Sequence, residues 1–323
     1  MRVIDLHHLG RPRVIGCWQL GDVLVDPGPG SCLATLLDAL GDVRPQAVLL
    51  THIHLDHAGA CGELVRRWPE LRVYVHERGA PHMVDPARLY SSARRLYGDR
   101  TEEIWGEMIP VAERNLEVLA GGETILDGVR VAYTPGHASH HVCYLRDSVA
   151  FVGDVAGVRI TPESITIPPT PPPDIDVEAW HESIALVRGW RPRCLAMTHF
   201  GATTDVGAQL DELEVRLDDW ARLAADGDRQ RFIAGVRSEI AAGSTPELAE
   251  LYEQAAPAEQ LYLGYERYWA KRREAGGVPP ATALHAPGPS TPAPRPPGPA
   301  TPAPRAPGPA TTPPPATAPA PAP

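Results

Sequence analysis

Apolar positions in the first quarter of the chain come in short β-prone runs, Val3–Leu6, Val14–Gln19, Asp22–Asp26 and Ala47–Leu50, broken by Gly and Pro. After Ser31, Leu33, Leu36, Leu37 and Leu40 recur at helical spacing. A helix through Glu63–Trp68 and a strand at Arg72–His76 continue a strand–helix alternation that predicts an α/β fold. Residues 77–115 interrupt it with two predicted amphipathic helices, Asp85–Tyr97 and Thr101–Glu113. Strands resume at Leu116, Val129–Thr134, Val142–Leu145, Val149–Val152 and Cys194–Thr198. A helix from Val177 to Trp190 lies among them, and Asp174 or Asp176 can cap it. Beyond Gly201 only helical stripes remain: Leu210, Leu213, Leu217 and Trp220; Phe232, Val236 and Ile240; Leu261, Tyr265, Tyr268 and Trp269. Thr245-Pro246 reads as an N-cap followed by proline at the first helical position.

Composition changes this picture at the C-terminus. Pro279–Pro323 holds 19 prolines, two arginines and no acidic residue, so no core can be built there and a disordered tail is expected over 278–323. The predicted organisation is a catalytic domain over 1–205 with the 77–115 insertion as a lid, a helical region over 206–277, and the tail. Outside the tail, 28 basic side chains face 40 acidic ones, which argues against a nucleic-acid partner. Met1–His8 is too short and polar for a signal peptide and no apolar run approaches a membrane span, so a cytoplasmic protein without membrane contact is expected. Five scattered cysteines, never spaced Cys-x-x-Cys, fit reduced buried thiols.

The chemistry concentrates in histidines and aspartates. His52, His54, Asp56 and His57 lie within six residues, directly after an apolar strand. In extended backbone His52 and His54 point the same way, while Asp56 and His57 turn toward a neighbouring point. Such a group suits a divalent metal far better than a core, where each member needs a polar partner. His137, Asp154 and His199 each follow an apolar strand, as active-site residues do at the edge of a sheet. Seven ligands exceed one tetrahedral metal and suit two cations sharing a carboxylate, roughly 3.5–4 Å apart.

Thr51-His-x-His-x-Asp-His57, Asp26 in Val-Leu-Val-Asp-Pro-Gly, Gly136-His137, Gly153-Asp154 and Thr198-His199 stand in an order that resembles the metallo-β-lactamase fold superfamily over roughly residues 13–205. The resemblance implies a four-layer αββα sandwich with two metals at one edge. It places His52, His54 and His137 on the first metal, Asp56, His57 and His199 on the second, Asp154 between them, and Asp26 behind a ligand as an orienting carboxylate. His140 and His141 have no slot in the pattern and are read as supporting or surface groups. His7, His8, His76, His82, His181 and His285 are read as ordinary structural histidines.

Two divalent ions, zinc first with iron or manganese as the alternatives, would lower the pKa of a shared water to about 7. The expected reaction is then hydroxide attack on an ester, thioester or lactone of a small molecule, with Asp56 orienting the nucleophile or relaying its proton. Within the superfamily, the chain resembles glyoxalase II and lactonases. β-Lactamases commonly carry cysteine at the position of Asp154, and lactonases place a tyrosine where Gly157-Val-Arg159 stands. The competing readings are a mononuclear iron persulfide dioxygenase using His52, His137 and Asp154, and a phosphodiesterase of the same fold. Tyr90, Tyr97 and Trp105 of the insertion are candidates to close over the site, and Arg159 to meet an anionic substrate group.

Overall fold

Strand β3 (Val23–Val25) turns Val23 and Val25 to one side and Leu24 to the other, and all three are buried. The same holds in β4 (Ala47–Leu49), where Ala47 and Leu49 face one core and Val48 another. Strands buried on both faces read as unbroken apolar runs, because each side chain of the two-residue repeat has a core to enter. The computed structural model describes residues 1–276. The tail expected over 278–323, with His285, lies outside the described residues.

Sheet A is β1 (Arg2–Asp5), β2 (Gly16–Leu20), β3, β4, β5 (Arg72–His76) and β6 (Leu116–Leu119), in that spatial order. From β3 onward neighbouring strands run parallel. Sheet B is built from β7 (Thr124–Ile125), β8 (Val129–Tyr133), β9 (Val142–Arg146), β10 (Val149–Phe151), β11 (Cys194–Met197) and β12 (Gly201–Thr203). Its one parallel pair is β10–β11.

The inner faces of the two sheets share one core that includes Trp18, Val25, Leu49, Val131, Tyr144 and Phe151. Two polar ties cross it: Trp18 Nε1 donates to the Met197 carbonyl at 3.0 Å, and the Tyr144 hydroxyl to the Leu50 carbonyl at 2.7 Å. Both satisfy groups that would be costly to bury alone. The outer face of sheet A is covered by α1 (Leu33–Leu40) and α3 (Cys61–Arg67), with the four-residue α2 (Leu55–Ala58) between them in the chain. Onto the same core fold α4 (Ala80–Val84), α5 (Ala87–Tyr97) and α6 (Thr101–Trp105) of the insertion.

On the outer face of sheet B lie α7 (Val177–Gly189), α8 (Val206–Ala224), α9 (Arg229–Ala242), α10 (Pro246–Ala255) and α11 (Ala258–Glu274). The layers are therefore αββα, as the resemblance implies. The helices after residue 205 share a core with α7 and sheet B, through Leu213, Trp220, Phe232, Tyr252 and Tyr265. Asp176, Asp205, Asp228 and Thr245 cap α7 to α10 by accepting a backbone N–H three residues on.

Two expectations in the insertion need correction. The helix predicted over Thr101–Glu113 stops at Trp105, because Gly106 adopts φ +74° and Pro110 follows. The helix predicted from Asp85 starts at Ala87, since the Asp85 carboxylate accepts the Ala87 N–H and Pro86 precedes it. A further short helix, Ala80–Val84, was not apparent from periodicity.

Helix α11 approaches the 168–173 loop so closely that a Cβ on Gly264 would sit 1.9 Å from the Thr170 carbonyl oxygen. Gly264→Ala would ordinarily strengthen a helix by roughly 0.5–1 kcal/mol. Here the clash is with backbone, so a net loss of about 1–3 kcal/mol is expected. A urea midpoint for Gly264→Ala equal to or above that of the parent protein would show that the helix and loop are not in this contact.

Candidate metal centre

Parallel strands send their C-terminal ends to one edge, and it is there that the histidines and aspartates gather. Strand β3 runs into Asp26, β4 into Thr51–His54, β10 into Asp154 and β11 into Thr198-His199; β8 leads to Gly136-His137. Gly136 has φ +137°, and a Cβ there would meet the Trp180 backbone at 2.4–2.6 Å, so the turn that aims His137 inward requires glycine. His54 ends the loop and α2 begins at Leu55, which places Asp56 and His57 on its first turn.

All seven residues converge. His52 Nε2, His54 Nδ1 and His137 Nε2 form a triangle with edges of 3.1, 3.2 and 3.0 Å. Beside it, Asp56 Oδ2 lies 3.2 Å from His199 Nε2 and 3.6 Å from His57 Nε2. Asp154 stands between the groups: Oδ2 is 3.3 Å from His137 Nε2, while Oδ1 is 3.2 Å from His57 Nε2 and 3.7 Å from His199 Nε2.

The outer nitrogens of these rings reveal what the inner ones present. His137 Nδ1 lies 2.8 Å from the Pro169 carbonyl and His199 Nδ1 2.6 Å from the Val14 carbonyl; a carbonyl only accepts, so each Nδ1 carries the proton. The Thr51 hydroxyl donates to Asp26 Oδ2, leaving its lone pair to accept from His52 Nδ1 at 3.1 Å. His57 Nδ1 donates to Asp26 Oδ2 at 2.9 Å. The Nε2 atoms of His52 and His137 therefore turn lone pairs toward one another, while those of His57 and His199 face the carboxylates of Asp154 and Asp56, where a proton or a metal ion can sit. Lone pairs cannot bond one another. His57 Nε2 and Asp154 Oδ1 are both buried without a hydrogen-bond partner. A donor set of imidazole and carboxylate at these separations fits divalent cations, for which a tetrahedral shell with bonds of about 2.0–2.1 Å needs nitrogens roughly 3.3 Å apart.

Electrostatics agrees with the division into two groups. Burial holds His52 and His137 below their ordinary range and His54 down to about 4, so all three favour the neutral form that a metal would need. Burial also disfavours charge on His57 and His199, but the carboxylates of Asp154 and Asp56 outweigh it and hold both above the usual value. Burial pushes Asp56 and Asp154 up; the surrounding histidines overcome it and keep both carboxylates ionised. This half of the centre attracts positive charge.

Asp26 touches no part of the inner space. Its Oδ1 accepts the Thr51 N–H at 2.8 Å, and Oδ2 accepts Thr51 Oγ1, Thr198 Oγ1 and His57 Nδ1 at 2.7–2.9 Å. It pins the ends of three strands and one ring together. Thr51 and Thr198 were visible in the sequence as neighbours of ligands, but their convergence on one carboxylate is a tertiary fact.

Above Asp56 opens a cavity of about 370 Å³. Its walls include Leu89, Leu96, Tyr97 and Trp105 from the insertion, Pro169 and Pro171 from the loop between β10 and α7, and Gln260 and Leu261 from α11. The Tyr97 hydroxyl donates to Gln260 Oε1 at 2.9 Å and ties two walls together. Tyr97 and Trp105 line this cavity, and Tyr90 does not. Arg159 also faces elsewhere, with its guanidinium on Gln209 Oε1 and the Pro162 carbonyl. His140 and His141 are both buried rather than on the surface. His8, read from sequence as unremarkable, is buried and stacks on Trp105 with ring centroids 5.1 Å apart. Nothing in its sequence neighbourhood signals that role.

Comparison with known proteins bears on the family and the fold. A family model described as the metallo-beta-lactamase superfamily matches residues 21–199. A metallo-beta-lactamase fold-containing protein of Sulfurisphaera tokodaii is 30% identical over 194 residues, covering 57% of this chain and 70% of that protein. A hydroxyacylglutathione hydrolase of Salmonella arizonae is 31% identical over 138 residues, so the match spans 41% of its length and 41% of this chain. Among solved structures, an archaeal metallo-beta-lactamase superfamily protein from Sulfolobus tokodaii superposes with a TM-score of 0.57 at 24% identity, over 68% of this chain and 85% of its own.

Proposed function

The chain belongs to the metallo-β-lactamase superfamily, and we propose that it is a dinuclear metal-dependent hydrolase of a small-molecule ester, thioester or lactone. The observation that carries the proposal is the division of seven ligand side chains into two groups with one Asp154 oxygen toward each. His52, His54 and His137 would hold one ion, Asp56, His57 and His199 the other. When bound, such a pair supplies an acidified water and positive charge for an oxygen that gains electrons. Zinc is the first expectation for its identity, iron and manganese the others.

The protein's own residues then divide the labour. His137 and His199 are oriented through carbonyls and His57 through Asp26, so ring positions are set before substrate arrives. Asp56 and Asp154 both line the cavity, and Asp56 is the more exposed of the two, with a side chain 20% exposed against 4%. It is placed to orient a nucleophile and to take its proton at a carboxylate oxygen. Apolar walls exclude water from the acyl group. The relative named hydroxyacylglutathione hydrolase favours an acyl–sulfur substrate.

The test is a panel of thioesters, lactones, aryl esters and phosphodiesters offered to the full chain after metal quantification. Turnover of a carbonyl substrate is expected to vanish on chelation and return with added metal. Asp56→Asn is expected to lower it by about 10²–10⁴-fold. Full activity in metal-stripped protein would refute the reading. The competing mononuclear dioxygenase would use only His52, His137 and Asp154; one iron per chain, with oxygen consumed on a glutathione persulfide, is its mark. The second group of ligands standing beside the first favours the dinuclear centre.

A further inference from the structure

Two arginines, Arg78 and Arg88, stand at the mouth of the cavity on the insertion, both exposed at the level of the whole residue. Among the described residues neither guanidinium has a carboxylate within 4.0 Å. Of the six arginines in residues 77–115 only Arg100 has a carboxylate partner, Glu103, and what sets Arg78 and Arg88 apart is that they line the cavity. Arg78 is steadied over the Tyr133 ring at 5.5 Å, so its guanidinium is held in place with its hydrogen-bonding edge uncommitted.

The acidic groups along the same cavity are already engaged. Asp56 and Asp154 belong to the metal ligands, and Asp174 accepts from Ser139 Oγ at 2.8 Å while lying 3.9 Å from Lys271 Nζ. What remains uncompensated is positive. Arg78, Ser139 and Asp174 also border a second cavity of about 470 Å³, so a substrate leaving the metal floor past Arg78 has room to continue.

We propose that Arg78 and Arg88 select an anionic substrate: an acyl ester or thioester with an apolar acyl part and a carboxylate or phosphate on the side away from the bond that is cut. The acyl part lies against Leu89, Leu96 and Trp105, and the anion meets the two guanidinium groups as charge-assisted hydrogen bonds. This rests on the hydrolase reading for the reacting bond, but the anion preference is separately measurable. It differs from the expectation for Arg159, whose side chain is occupied elsewhere.

The experiment pairs two thioesters of one shape, S-hexanoyl-3-mercaptopropionate and its neutral amide, S-hexanoyl-3-mercaptopropionamide. It adds calorimetric binding of the inert thioether S-hexyl-3-mercaptopropionate and of the corresponding amide, all with metal-loaded full chain. The parent protein should prefer the carboxylate about tenfold or more in kcat/KM and in binding, and the preference should shrink with added salt. Arg78→Gln and Arg88→Gln should each cut the preference about three- to tenfold, and Arg88→Glu should reverse it. Arg66→Gln, on α3 and paired with Glu63, should leave the ratio where it was. Equal binding of the two thioethers, or none, overturns the proposal. So does a ratio that the rim variants do not move. Charge-selective binding without turnover would keep the anion site and sink the hydrolase reading; turnover without charge selectivity would do the reverse.

Discussion

Asp154→Ala is expected to lower turnover by about a thousandfold or more, equivalent to roughly 4 kcal/mol of transition-state stabilisation. It is also expected to reduce bound metal. The reason is geometric. Asp154 is the one side chain with an oxygen toward each ligand group, 3.3 Å from His137 Nε2 and 3.2 Å from His57 Nε2. Without it, His57 and His199 keep only Asp56 as a carboxylate in the inner space. Asp154→Asn would hold the shape and remove the charge, so it separates the two contributions: metal content near that of alanine assigns the effect to charge. Metal quantification together with kcat on the best substrate of the panel makes the measurement. An Asp154→Ala protein that keeps two metals and a tenth of its turnover would contradict the assignment.

The second large effect belongs to Asp26, which touches no metal-facing atom. Asp26→Ala leaves the Thr51 N–H, the Thr51 and Thr198 hydroxyls and His57 Nδ1 without their shared acceptor, all inside the protein. Each buried orphan costs about 1–3 kcal/mol. Several together are comparable with the whole stability of a domain, about 5–15 kcal/mol. Asp26→Ala should therefore unfold at far lower urea or fail to accumulate as folded protein. Asp26→Asn retains an acceptor oxygen and should fold, yet bind metal about 10–100-fold more weakly, because His57 loses its ionised partner. If Asp26→Ala unfolded at the parent's urea midpoint, the network would not have the weight given to it here.

How much of this was legible before folding is clearest from particular residues. The seven candidate ligands could be picked out because metal-binding side chains follow apolar strands, and a sheet with parallel neighbours delivers those strand ends to one edge. Runs such as Ala47–Leu50 were readable as apolar strands, whereas the four-layer sandwich followed only from the resemblance carried by the histidine and aspartate motifs. Helix ends were less visible: Trp105 is the last helical residue before a glycine in left-handed backbone, and periodicity alone carried the predicted helix on to Glu113. Arginine roles were not readable at all. Arg159 sits near Asp154 in sequence but bonds Gln209, whereas Arg78 and Arg88 reach the cavity mouth only because the insertion folds back over it. His8 was missed for the same reason, since its partner Trp105 is almost a hundred residues away.

The central claim is that two metal ions share Asp154. Anomalous diffraction from crystals of metal-loaded protein, recorded at the zinc, iron and manganese edges, tests it directly. Two peaks are expected, roughly 3.5–4 Å apart, one within the His52, His54 and His137 group and one beside Asp56, His57 and His199. A single peak held by His52, His137 and Asp154, or no peak in protein crystallised with excess metal, would contradict the account.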